Sequence, residues 1–165
     1  MRDLLAQIRT ASATGLYYVA LFPSLSLPDI CGAIESLDGG ATGPKYMAWF
    51  DKWVAPNYAG RLSGQDCYYY RCSLLHQGTT QHPRSTYARI IFVEPTVRGL
   101  QMHNNIMNDA LNIDVRVFCE DILQGVEAWL PSAEQLSHFA ANVAKFITRY
   151  PNGLAPYIVG VPVIG

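Results

Sequence analysis

The chain has 165 residues, enough for one domain with a single substantial core, and its formal charge of −1 removes global basicity as an argument for nucleic-acid binding. Half of the residues (50%) are hydrophobic, 15% are charged and ten are tyrosine (Tyr 10), a composition that suits a folded protein keeping an apolar face for a partner. The charge is unevenly spread. Arg61, Arg71, Arg84, Arg89 and Arg98 face only Asp66 and Glu94 in the middle of the chain, whereas Asp109, Asp114, Glu120, Asp121, Glu127 and Glu134 later face Arg116 alone.

Residues 2–10 and 14–22 read as helices, the second apolar on nearly all sides. The apolar run from Gly15 to Leu27 is short of the ~20 residues of a spanning helix, and Pro23, Pro28 and Asp29 interrupt it, so buried core is expected and not a membrane span. Pro28 is placed to open a further short helix running to Leu37, because proline loses nothing in a first turn. Asp38-Gly39-Gly40-Ala41-Thr42-Gly43 has the composition of a loop. Pro44 then opens a helix on which Tyr46, Trp49, Phe50 and Trp53 recur at helical spacing as core.

The stretch from Ser63 to Gly78 carries its own start and stop signals. Ser63 with Asp66 forms a capping box with aspartate in the acidic position, and Gly78 suits the left-handed residue that closes a helix. After it the period changes. Tyr87 to Val93 is rich in β-formers, and Leu100 to Asn104 is expected to pair back on it as a small hairpin spanning about 87–104. A helix capped by Asn112 or Asp114 follows, with Val115, Phe118, Ile122, Val126 and Trp129 on one face and Pro131 as its stop. Ser132 with Gln135 matches a second capping box, predicting a helix with Leu136, Phe139, Val143, Phe146, Ile147 and Tyr150 in phase, and His138 exposed or capping. The apolar tail 153–165, broken by Pro156 and Pro162, is expected to dock on its own domain or on a second protomer. No internal repeat is visible, so residues 1–165 are read as one mainly α domain, a helical bundle with one hairpin.

Chemistry concentrates on the Ser63–Gly78 helix. A histidine moves protons near neutral pH and an arginine holds a phosphate, so Arg71 and His76 together could cleave RNA without a metal if the ribose 2′-hydroxyl is the nucleophile. Five residues on an ideal helix turn through about 500°, which leaves the two roughly 140° apart, so one straight helix does not aim both at one point. The competing reading gives Arg71 a carbonyl or carboxylate partner and makes His76 part of the helix end.

The string Arg71-Cys72-Ser73-Leu74-Leu75-His76-Gln77-Gly78 resembles the Arg-x4–6-His signature of the HEPN superfamily, all-α proteins that include metal-independent ribonuclease toxins and non-catalytic relatives. The resemblance spans residues 63–78 and carries over to Arg71 and His76. It implies a HEPN-like bundle in which two protomers bring both copies of the pair into one cleft, with RNA or a cognate antitoxin-like protein as partner. Cys72 stands where the family often has Asn, Asp or His.

Cys67, Cys72, His76 and His82 lack zinc-finger spacing, so no metal and no cofactor is expected. The four cysteines, with Cys31 and Cys119, form no CxxC pair, and Met1-Arg2-Asp3 begins no secretory signal, which predicts reduced thiols and a cytoplasmic location. His103, Asn104 and Asn105, followed by Asn108 and Asp109, could approach the Arg71 helix and orient a phosphate, although such residues also make turns. There is no phosphate-binding glycine loop, GxSxG elbow or HExxH. The expected function is therefore RNA binding or cleavage at a composite Arg71/His76 site with Cys72, His103 and Asn104 as accessories; the alternative is a non-catalytic helical dimer that is structural or binds a partner or nucleotide.

Overall fold

The computed structural model describes residues 1–95 and 101–165. Among them are six α-helices: α1 (Arg2–Ala13), α2 (Tyr17–Glu35), α3 (Gly43–Trp53), α4 (Gly64–Gln77), α5 (Val115–Ala133) and α6 (Phe139–Val143). A single 3₁₀ turn, Ala55–Tyr58, follows α3. The fold is mainly helical.

The centre is α2, which contacts α1, α3, α4, α5 and α6. The sequence predicted two helices here, broken near Pro28. The structure has one helix of 19 residues with Pro23 and Pro28 inside it. A proline removes one backbone hydrogen bond and crowds the preceding turn. Here that loss is offset by burial, since Leu21, Leu25, Leu27, Pro28, Cys31 and Ile34 are all packed inside. Among the described residues α2 is also the one helix whose length and apolarity (mean hydropathy 1.2) would suffice to cross a membrane; half of that window (50%) is buried within the protein.

The aromatic stripe of α3 packs inward, fully at three of its four positions, with Trp53 half-buried against the core. Tyr46, Trp49 and Phe50 are buried, and Trp49 meets Trp129 of α5 edge-on at 6.3 Å between ring centroids. Asp114 is the cap of α5, its carboxylate accepting from the backbone N–H of Arg116 at 2.9 Å and of Val117 at 3.2 Å. Across the bundle Arg9 of α1 binds Glu120 at 3.1 Å and Glu127 at 2.7 Å on α5, an exposed clamp that draws Glu127 below the usual carboxylate range.

The expected 87–104 hairpin is not formed. β1 (Arg89–Val93) pairs in parallel with β3 (Ala110–Asp114), Arg89 opposite Ala110 and Val93 opposite Asp114. The hairpin lies later: β2 (Asn105–Met107) runs antiparallel to β3, and the sheet order is β1-β3-β2. Asn108 and Asp109 are its turn, with φ of 50° and 60°, the left-handed geometry that two-residue hairpin turns require. Residues 101–104 are not strand, and Leu100 lies outside the described residues. β3, buried at all five positions, takes the centre because it can be flanked on both edges.

The second capping box also fails. Pro131 lies inside α5, and the Ser132 hydroxyl bonds the Trp129 carbonyl at 2.7 Å instead of opening a new helix. The long helix predicted after it shrinks to α6, five residues (Phe139–Val143). That segment closes α2: His138 Nε2 donates to Glu35 O at 2.8 Å, and Asn142 Nδ2 donates to Ile34 O at 3.0 Å and Ser36 O at 2.8 Å. The tail forms two small ribbons, β4 (Arg149–Tyr150) with β7 (Val163–Ile164) and β5 (Gly153–Leu154) with β6 (Ile158–Val159), and leaves Tyr157, Val159 and Ile164 exposed.

Candidate functional site

The helix that carries the Arg/His motif begins and ends where its sequence says. The Ser63 hydroxyl accepts from the Asp66 N–H at 3.1 Å and donates to its carboxylate at 2.6 Å. At the other end Gly78 takes φ 66°, and its N–H and that of Thr79 bond the carbonyls of Leu74 and Ser73. Gly64, in the first turn, lies against the backbone carbonyl of Met47, with no room for a side chain. This close approach seats α4 on α3.

Arg71 and His76 meet. Arg71 Nη1 stands 3.2 Å from His76 Nε2, so the spacing argument that separated them is corrected. The helix stays regular through Gln77; the length of the arginine side chain closes the gap. Guanidinium nitrogens carry only donors, so Nε2 is the acceptor and the imidazole in this contact is the neutral tautomer with its proton on Nδ1. His76 is exposed, and Cys72 Sγ lies 3.8 Å from the same Nη1.

The other arm of the guanidinium is tied down. Arg71 Nη2 is 2.5 Å from Oδ2 of Asp29 on α2, with side-chain exposures of 20% and 14%. Asp29 Oδ2 makes no aligned hydrogen bond, so this contact is chiefly ionic. Burial pushes the Asp29 carboxyl above the usual carboxylate range, opposed by Arg71. Burial works against the charge of Arg71, and Asp29 with Cys72 outweighs it, leaving the guanidinium more firmly protonated. The site is thus a chain, Asp29–Arg71–His76, whose inner end is half-buried and whose outer end meets solvent. Asp29 had a signal in the sequence, a carboxylate in the middle of an apolar helix that needs a partner.

The accessory residues divide. Cys72 joins the pair. His103 and Asn104 do not; they assemble on Tyr58, His103 with its ring 5.5 Å from the Tyr58 ring and Asn104 Nδ2 donating to Tyr58 O at 3.0 Å. Nearby, Asn57 Nδ2 donates to Asp121 Oδ1 at 2.9 Å. Asn108 and Asp109 are spent on the β2–β3 turn.

The residues weighed as zinc ligands have other neighbours. The Cys67 thiol lies 3.2 Å from the buried Tyr46 hydroxyl, and His82 stacks on Tyr69. Among the described residues no three His, Cys, Asp or Glu side chains converge as a metal site. All four cysteines are free, with Cys31, Cys67 and Cys119 buried and Cys72 half-buried.

An apolar groove of about 370 Å³, lined by Ile34, Trp129, Leu130, Phe139 and Phe146, opens beside Met1 and does not include the pair. The pair lies on α4, with His76 exposed and Arg71 half-buried. No protein-family model matches the chain, and no curated protein or solved structure matches it.

Proposed function

We propose that the chain is a HEPN-like helical protein that binds single-stranded RNA at the Arg71–His76 pair and cleaves it, acting as a homodimer in the cytoplasm. The observation that carries this reading is the 3.2 Å contact between Arg71 Nη1 and His76 Nε2 at an exposed position on α4. It gives one surface point both a cationic donor for phosphate and an imidazole in the neutral form that accepts a proton.

The chemistry follows from which nitrogen is engaged. A phosphodiester oxygen competes for Nη1 of Arg71, and when it wins, His76 Nε2 is released. Nε2 then takes the proton of the ribose 2′-hydroxyl as the 2′-oxygen bonds phosphorus. The bond from phosphorus to the 5′-oxygen breaks, and that oxygen leaves with a proton from the second copy's imidazolium or from water. The products are a 2′,3′-cyclic phosphate and a 5′-hydroxyl. Arg71 meets the charge that grows on the phosphate, and Asp29 holds the guanidinium in place.

The test is a labelled single-stranded RNA incubated with the purified chain in EDTA, with the ends of the fragments identified. Cyclic phosphate ends are expected, with activity falling at least about 100-fold in His76→Ala. A folded wild type that leaves every RNA intact would overturn cleavage. The Arg71–Asp29 ion pair favours a second reading, in which Arg71 joins two helices and the protein is a non-catalytic dimer that is structural or binds a partner or nucleotide. RNA or nucleotide binding without cleavage, unaffected by His76→Ala, would favour it.

A further inference from the structure

The segment between α4 and β1 does not leave the helix that carries the pair. It is strapped back along it at Thr86, whose N–H donates to Asp66 Oδ1 at 2.9 Å, and at Tyr87, whose hydroxyl donates to Arg61 O at 2.6 Å. Between the end of α4 and these ties His82 lies flat on Tyr69, with centroids 4.4 Å apart and planes 3° from parallel. The Arg84 N–H donates to His82 Nδ1 at 3.1 Å, so the ring is held with its remaining proton on Nε2.

Two further facts bear on what this stack faces. Tyr69, Cys72 and His76 are spaced by three and seven residues, which puts Tyr69 within about 20° of His76 around α4 and about 10 Å along it. Arg84, two residues beyond His82, is exposed, as are Arg61 and Arg89, whereas Asp66 is buried and already bonded to Ser63 and Thr86.

We propose that the Tyr69–His82 stack is a nucleobase platform: one base of a single-stranded RNA stacks on it while the neighbouring phosphate lies at Arg71. This rests on the RNA reading given above and adds a base-contacting subsite to it. A flat pair of half-buried rings with polar rims offers a face that any base can cover, and the exposed arginines of this part of the chain, Arg84 next to His82 above all, suit the backbone that carries the base. An apolar guest would gain nothing from those arginines. Stacking of this kind is tolerant of sequence, so the platform sets where the strand lies and not which base is chosen.

The experiment uses the whole chain and a fluorescent 2′-O-methyl RNA 12-mer, which binds but has no free 2′-hydroxyl to attack, beside an abasic strand of the same length. Tyr69→Ala and His82→Leu should each weaken binding of the 12-mer by about ten-fold, and Tyr69→Phe should stay within about three-fold of wild type. The abasic strand should bind about ten-fold more weakly than the 12-mer and be indifferent to Tyr69→Ala. Equal affinity of wild type for the two strands, or full affinity in His82→Leu, would overturn the platform. If Tyr69→Ala does not fold, His82→Leu and the abasic comparison decide. RNA binding that depends on Arg71 but not on Tyr69 or His82 sinks the platform alone; a wild type that binds neither strand sinks the RNA reading and the platform together.

Discussion

Arg71 of α4 and Asp29 of α2 stand 2.5 Å apart between two helices that are distant in sequence, each side chain less than one quarter exposed. The motif arginine is therefore also a tie between helices. Its replacement cannot be silent for the fold, whatever it does to activity.

Arg71→Ala leaves the half-buried Asp29 carboxylate without its counter-charge and should cost about 1–3 kcal/mol in urea unfolding, with Asp29→Ala similar. The double variant should cost clearly less than the two single losses added together. Strictly additive losses would show that the pair contributes nothing to stability.

His76 is the cleaner probe of chemistry. It is exposed, and Arg71 keeps Asp29 when the imidazole is gone, so His76→Ala should move stability by no more than about 0.5 kcal/mol. Loss of RNA cleavage in that variant, with an unchanged unfolding midpoint, then reports on the reaction. A large fall in stability would mean that the imidazole holds more than Arg71.

The thiols should separate by burial. Burial pushes the Cys67 thiol up to about 12, and burial likewise raises Cys119 to about 11 and lifts Cys31 well above the ordinary range. Native alkylation at pH 8 should label Cys72 first, and all four cysteines should react once the chain is unfolded without reductant. Fast labelling of Cys67 in the native protein would contradict the packing of α4 on α3.

Asp121 gives a pH signature. Burial raises its carboxyl above the ordinary 3.8, with Tyr58 and Asn57 opposing. The folded state then holds the proton longer than the unfolded chain, so this group's contribution to stability falls as pH rises from 3.8 through the folded value and is flat above it. Asp121→Asn, which keeps an acceptor for Asn57, should remove that slope; stability profiles of the two proteins that run parallel from pH 3 to 7 would show the shift is absent.

Gly64→Ala drives a methyl group into the Met47 carbonyl, a backbone atom that cannot step aside without moving α3 against α4. A loss of about 2–3 kcal/mol is expected, against about 1 kcal/mol for Gly78→Ala, which meets open space and pays only for its positive φ. Thermal unfolding of the two variants ranks them, and the reverse order would place the close contact elsewhere.

What the amino-acid sequence determined by itself is the chemistry that acts within a few residues. Ser63 and Gly78 bound α4, Asp114, one of the two candidates with Asn112, caps α5, and Tyr46, Trp49 and Phe50 line the inner face of α3. Each rests on hydrogen bonds two to six residues long or on helical period, which any chain of that sequence would feel. Tertiary structure decided the rest. Pro23 and Pro28 break an isolated helix, and α2 survives them because helices on several sides bury it. β1 looked as ready to pair with 100–104 as with anything, but strand pairing is settled by which partner is buried, and β3 is buried throughout. The same holds at the candidate site. Helical angle alone kept Arg71 and His76 apart, because it places Cα atoms and not the end of a long side chain; Asp29 and the strapped loop with His82 reach α4 only when the bundle closes.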